Sequence, residues 1–198
     1  DNMRRELLFF KNEMKAEFLY FWADTFFSWT RKDFETFAEL YQEIQLPFWC
    51  QTRPETINEH RVKTLKKMGV ARIAFGIEHG NEKFRAKYLD RKMSNEIITE
   101  GIKTVLREEV PVSVNNMIGF PYETRELAFD TIRLNKTFGA PEIVDNNSYP
   151  FTPFTGTPLR KLCEELGYVK ETDIVNSVMS QGSLLNMPQF SGEEVDGL

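Results

Sequence analysis

The chain has 198 residues, 41% of them hydrophobic, enough to bury one sizeable core, so one domain or most of one is expected. A net charge of −5 supplies no basic field for nucleic acid and no polybasic anchor for a membrane surface, and no apolar run approaches the roughly 20 residues of a bilayer span. With Cys50 and Cys163 as the only cysteines, a disulfide framework is excluded and a reducing cytoplasm is the expected location.

The opening stretch, DNMRRELLFFKNEMKAE, is charged and helical in pattern over 3–16, with no signal-peptide cleavage site. It starts in mid-helix and without Met, as a piece of a longer protein would. Glu17–Trp22 (EFLYFW) reads as a strand ended by Ala23-Asp24-Thr25. Thr30 caps a second helix, Lys32–Ile44, whose Phe34, Phe37, Leu40, Tyr41 and Ile44 share one face. Pro47–Thr52 (PFWCQT) is the next strand, ended by Arg53-Pro54, and a helix over Asn58–Met68 stops at the C-cap glycine Gly69. Val70–Ile77 (VARIAFGI) is nearly continuous in apolar residues, as a parallel strand covered on both faces should be, and ends in Glu78-His79-Gly80-Asn81. Helical segments follow over 82–88 and, capped by Ser94, over Asn95–Glu108.

The stretch Val112–Thr124, VSVNNMIGFPYET, carries the clearest signal. It completes a strand, Val110–Ile118, turns at Gly119-Phe120-Pro121, and enters a helix over Arg125–Phe138 with Thr124 as its cap. In parallel α/β proteins ligands bind at this end of the strands. Glu142–Ser148 is a fifth strand, followed by the turn-rich YPFTPFTGTP and a helix over Leu159–Leu166 ending at Gly167. The remainder, with several Ser, Gly, Asn and Gln, reads as irregular. Cys50 lies in a strand and Cys163 in a helix stripe, and both read as ordinary buried thiols.

Strand and helix alternate five times behind one leading helix, which specifies an α/β fold with a parallel sheet and right-handed crossovers. Each strand ends in a polar group: Asp24, Arg53, Glu78 with His79, Asn115 with Asn116, and Tyr149. In a βα barrel those ends share one rim. Arg53 would suit a carboxylate there, and Glu78 or Asp24 an amine or ribose hydroxyls. The plain alternative is that each is a solvated loop start or a helix cap. His79 stands open between a rim group and a loop histidine, whereas His60, beside Glu59 and Arg61, reads as surface. The aromatics of FLYFWADTFFSW read first as core and second as a stacking wall. There is no Walker loop, GxSxG elbow or HExxH, and no Cys or His pair at metal-ligand spacing. Pattern alone stops at a ligand-binding βα barrel or sheet, with an enzyme the favoured reading.

Five stretches, in register, resemble radical S-adenosylmethionine (SAM) enzymes. Phe21-Trp22-Ala23-Asp24-Thr25-Phe26 is similar to the second-strand signature of the cobalamin-associated branch, commonly Phe-x-Asp-Asp-x-Phe. Gln51-Thr52-Arg53-Pro54-Glu55 resembles the third strand's polar-Arg ending. Leu65–Val70 through Phe75–Gly80 resembles that family's "LKKAG…GIESG", Asn116–Thr124 its "IGLPGET", and Pro153–Leu159 its "P-x-PGTPL". The resemblance covers the chain from near Asp1 to the neighbourhood of Tyr168.

That resemblance implies a partial TIM-type (βα)6 barrel with its first βα unit largely missing. The five strands here would be the second to sixth, with a core barrel over 1–170 and the start of a C-terminal extension over 171–198. SAM would lie across the strand ends, Asp24 facing its amino group and Arg53, Glu78 and Asn115 its carboxylate and ribose. The backbone of Ile118, Gly119 and Pro121, with Tyr149, would border adenine. The family's CxxxCxxC loop, whose thiolates hold a [4Fe–4S] cluster, is absent, and two cysteines cannot supply three ligands, so the cluster ligands are expected outside this chain. Ala23, His79 and Thr155 depart from the family's Asp, Ser and Pro.

The implied activity, in the intact protein, is reductive cleavage of SAM to start radical chemistry on a small-molecule substrate. A reductant such as flavodoxin or ferredoxin would feed it, and an upstream domain would bind cobalamin. This chain alone is expected to be inactive. The alternative is a cluster-less SAM- or nucleotide-binding barrel acting as a regulatory or interaction module. An unrelated βα-barrel lyase or aldolase is disfavoured, because no strand end offers a lysine for Schiff-base chemistry.

Overall fold

A computed structural model describes residues 2–173 and 182–198. Five strands alternate with helices in the expected order: α1 (Asn2–Asn12), β1 (Leu19–Phe21), α2 (Arg31–Tyr41), β2 (Phe48–Thr52), α3 (Glu59–Met68) and β3 (Val70–Glu78) come first. Then follow α4 (Glu82–Tyr88), α5 (Asn95–Arg107), β4 (Val112–Ile118), α6 (Arg125–Lys136), β5 (Val144–Pro150), α7 (Pro158–Glu165) and α8 (Gly192–Asp196). The strands form one parallel sheet in the order β1-β2-β3-β4-β5, the topology expected of consecutive βα units.

Local chemistry sets the helix boundaries. The side chains of Thr30, Ser94 and Thr124 accept from the backbone N–H three residues on, as the sequence predicts, and Asn58, Asn81 and Thr157 do the same. Gly69 ends α3 in the left-handed region at φ +90°. Strand boundaries differ from expectation at several points: β1 keeps only Leu19–Phe21 of the expected Glu17–Trp22, and the starts of β4 and β5 move for reasons their hydrogen bonds show. β4 begins at Val112 rather than Val110, since Pro111 has no N–H to give the ladder and contributes only its carbonyl, to Ile73 N at 3.0 Å. β5 begins at Val144 rather than Glu142, because Ile143 and Val144 both donate to Ala140 O and close a turn there.

The described residues divide into two compact units that interleave along the chain. The first comprises 1–77, 93–114 and 138–145. Its core is aromatic: Phe21 packs within 6 Å of Phe26, Phe37, Tyr41 and Phe48. Phe26 and Phe27 are therefore core, but Tyr20 and Trp22 are not. These two are 67% and 80% exposed, and Trp22 stacks on Trp49 at 5.5 Å. That corrects the reading of the whole aromatic run as core: alternate residues of a strand face opposite ways, so Tyr20 faces away from the side of edge strand β1 on which Phe21 packs, and Trp22, just past the strand's end, lies exposed beside Trp49.

The second unit comprises 78–92, 115–137 and 146–198. Phe84, Ile118, Phe120, Phe151 and Cys163 form its core with Leu185, Met187, Phe190 and Val195. The C-terminal stretch read as irregular is, over 182–198, a docked segment with a capped helix. Residues 174–181 of that reading lie outside the described residues. No helix among the described residues is long and apolar enough to cross a membrane.

Candidate functional site

Six of the eight predicted site residues fall in the second unit: Glu78, Asn115, Ile118, Gly119, Pro121 and Tyr149. Asp24 and Arg53 belong to the first. There Asp24 is exposed in the loop after β1. Arg53 pairs with Glu55 at 2.7 Å, and its Nε is buried without a partner. A guanidinium nitrogen left unpaired in this way is suited to an anionic group.

Glu78 is the last residue of β3 rather than the first beyond it. Its backbone sits at φ +69°, a left-handed conformation that costs a non-glycine residue on the order of 1–2 kcal/mol. Its carboxylate meets Arg91 at 3.1 Å, and burial pushes its pKa up against the smaller opposing pull of that guanidinium. Asn115 lies inside β4, half-buried, its Oδ1 accepting from Asn147 Nδ2 at 3.1 Å. Tyr149 is likewise inside β5 and half-buried, a consequence of the two-residue shift of that strand.

His79 is not a rim group. It is fully buried, with its ring stacked on Phe84 at 4.4 Å. Nδ1 accepts from Asn81 N at 2.9 Å, so the ring proton resides on Nε2, which donates to Glu123 Oε1 at 3.0 Å. Glu123 is also fully buried, and its Oε2 accepts from Gly119 N at 2.6 Å and Phe120 N at 2.9 Å. One carboxylate thus closes the turn after β4 from inside. Gly119 needs its lack of a side chain: it sits at φ +83°, and a Cβ would meet the Val195 methyls at 3.1 and 3.2 Å.

Sequence reasoning missed Glu123 as a functional residue. Just ahead of the cap Thr124 it passes for an ordinary loop acid, and only its position four residues after Gly119 hints at a turn cap. Much of the backbone expected to border adenine is occupied internally. The N–H groups of Gly119 and Phe120 go to Glu123, and Ile118 O accepts from Phe151 N at 2.7 Å.

The chain does not fit a [4Fe–4S] cluster. Among the described residues no group of three or more His, Cys, Asp or Glu side chains is placed to hold a metal ion. Cys50 and Cys163 are buried, and burial raises both thiols, Cys163 to about 11, away from the thiolate a metal needs.

Over 156 residues the chain is 25% identical to a curated protein of Pyrococcus horikoshii named "Uncharacterized methyltransferase PH0819", covering 78% of this chain. Among solved structures it is similar to the radical SAM methyltransferase TsrM from Kitasatospora setae, with cobalamin and a [4Fe–4S] cluster bound, at 15% identity, 98% coverage of this chain and a TM-score of 0.61. It is also similar to coproporphyrinogen III oxidase (HemN) from Escherichia coli, a radical SAM enzyme, at 15% identity, 77% coverage and a TM-score of 0.57. The two structures share the fold. The chain spans 33% of the Pyrococcus protein, 36% of TsrM and 38% of HemN. Residues 1–134, more than half of the chain, match the Radical SAM superfamily, and the chain belongs to that superfamily.

Proposed function

We propose that this chain is the SAM-binding part of an enzyme that, in its intact form, reductively cleaves SAM at a [4Fe–4S] cluster to start radical chemistry on a small-molecule substrate. The superfamily match of residues 1–134 carries the reading. SAM supplies the carbon–sulfur bond whose reduction begins the chemistry; the chain's part is to bind, orient and exclude water. The cluster ligands, a flavodoxin- or ferredoxin-type reductant and a cobalamin domain are assigned outside these residues, the last because TsrM was solved with cobalamin bound.

The donor set suits the ligand group by group. The Glu78 carboxylate, steadied by Arg91, accepts from ribose hydroxyls, and the Asn115 amide offers a further polar contact. With the turn's N–H groups held by Glu123, the carbonyls of Gly119 and Pro121 are the groups suited to adenine's amino hydrogens, and Tyr149 flanks the base. Arg53, with its unpartnered Nε, and the exposed Asp24 belong to the first unit, where they suit an anionic and a cationic group respectively.

The test is 5′-deoxyadenosine release under anaerobic reduction. The intact, cluster-reconstituted protein should release it and this 198-residue chain should not. Release by this chain alone would refute the division of labour. An intact protein that binds SAM but never cleaves it would establish the cluster-less module instead.

A further inference from the structure

We infer that His79 is a positioning residue that fixes the spacing between the two nucleoside contacts of the site, through Glu123. This inference rests on the SAM-binding reading above. Its parts lie within one compact unit. Glu78, the proposed ribose contact, immediately precedes His79 at the end of β3. Gly119 and Phe120, whose turn borders the proposed adenine position, are tied to Glu123. The His79–Glu123 hydrogen bond joins the two strand ends at a single 3.0 Å contact.

The arrangement is over-determined in a way that packing alone does not require. Asn81 N–H holds Nδ1 as an acceptor, which leaves Nε2 to donate and fixes which ring atom faces Glu123. Asn81 is itself fixed: its Nδ2 donates to Asp130 Oδ2 at 2.7 Å and its Oδ1 caps α4 through Phe84 N. Glu123 accepts at both oxygens, once from the ring and twice from the turn, so its position answers to both sides. His79 and Glu123 are each fully buried, where a hydrogen bond is least diluted by water and an unpaired partner is most costly. Burial alone requires both ring nitrogens to be paired; it does not require that the Nε2 partner be the carboxylate that also holds the turn after β4.

Two conservative substitutions separate positioning from packing. In His79→Gln the side-chain amide reaches the place of Nε2 and can still donate to Glu123. In His79→Asn it reaches only the place of Nδ1, retaining the Asn81 contact and losing Glu123. Amide exchange at Gly119 and Phe120 should stay slow in His79→Gln and quicken at least about tenfold in His79→Asn, with the α5 amides unchanged in both. Affinity of the intact protein for SAM should follow the same order at matched melting temperature, weakening about tenfold in the Asn variant only. Equal behaviour of the two variants, or loss of protection throughout the chain, would overturn the inference. Should either histidine variant fail to fold, Glu123→Asp, which retracts the carboxylate by one methylene, should quicken the same two amides, and unchanged exchange there would overturn the inference. The exchange readout needs no ligand. Failure of wild-type protein to bind SAM would therefore remove the SAM reading while still deciding whether His79 holds the turn.

Discussion

Replacing Gly80 by alanine should be among the most damaging single changes in the second unit. A Cβ built there lies 2.3 Å from Asp130 O, 2.4 Å from Thr131 Cα and 2.5 Å from Asp130 C. All three are backbone atoms of α6, so no side chain can rotate away, and helix and strand end must separate. Overpacking of this kind costs about 1–3 kcal/mol and sometimes more. Separation also breaks the buried bond from Gly80 N to Thr131 Oγ1, 2.8 Å long, and stranding that donor adds roughly 1–3 kcal/mol. The sum, about 2–6 kcal/mol, is a large share of the 5–15 kcal/mol typical of a domain. Gly139→Ala is the control: open space surrounds it, but its φ of +68° makes a side chain cost only about 1–2 kcal/mol. Urea unfolding should be followed by far-UV circular dichroism, because the three tryptophans, Trp22, Trp29 and Trp49, all report on the first unit. If Gly80→Ala proves no more destabilising than Gly139→Ala, the close approach of α6 to this strand end is wrong.

Glu123→Gln keeps the shape but must point an NH2 either at the His79 Nε2–H or at two backbone N–H groups, so we expect a loss of about 2–4 kcal/mol in chemical denaturation; a loss below about 0.5 kcal/mol would contradict the hydrogen-bond assignment. Glu78 has a raised folded pKa, so folding favours its protonated form: its contribution is fully present below the ordinary carboxylate pKa and is lost as pH rises through the folded value. Stability curves against pH should show this fall in the wild type and not in Glu78→Gln, and identical curves would refute it. Arg91→Met should move the fall to higher pH, since the guanidinium opposes the shift. Neither Cys50 nor Cys163 should react with a thiol reagent in the folded chain, while both should react in denaturant; rapid labelling of either under native conditions would contradict their burial.

Much of this fold was legible in the chain because its strands advertise themselves as apolar runs closed by Gly, Pro or a capping residue. Thr30, Ser94, Thr124 and Gly69 marked boundaries through local chemistry alone, and local chemistry is what a sequence displays. Tyr149 was displaced because Glu142 and Ile143 look strand-like but lie in a turn closed by the Ile143 and Val144 N–H groups on Ala140 O. His79 and Glu123 were harder for a different reason. Both are polar residues next to turns, which usually means solvent, and their burial follows from a contact between positions 44 apart in sequence. The C-terminal segment was hidden likewise: Leu185, Met187, Phe190 and Val195 are spaced irregularly among polar residues, and only tertiary packing gathers them. Tyr122 repeats the lesson in the backbone, holding φ +65° in a turn where the resembling motif places glycine.

Titration of SAM into the intact, reconstituted protein and into its Glu78→Ala variant tests the central claim most directly. The account predicts saturable binding at one site, weakened about tenfold or more when the carboxylate at the end of β3 is removed, as loss of a charge-assisted hydrogen bond requires. Absence of binding, or binding indifferent to Glu78, would contradict it.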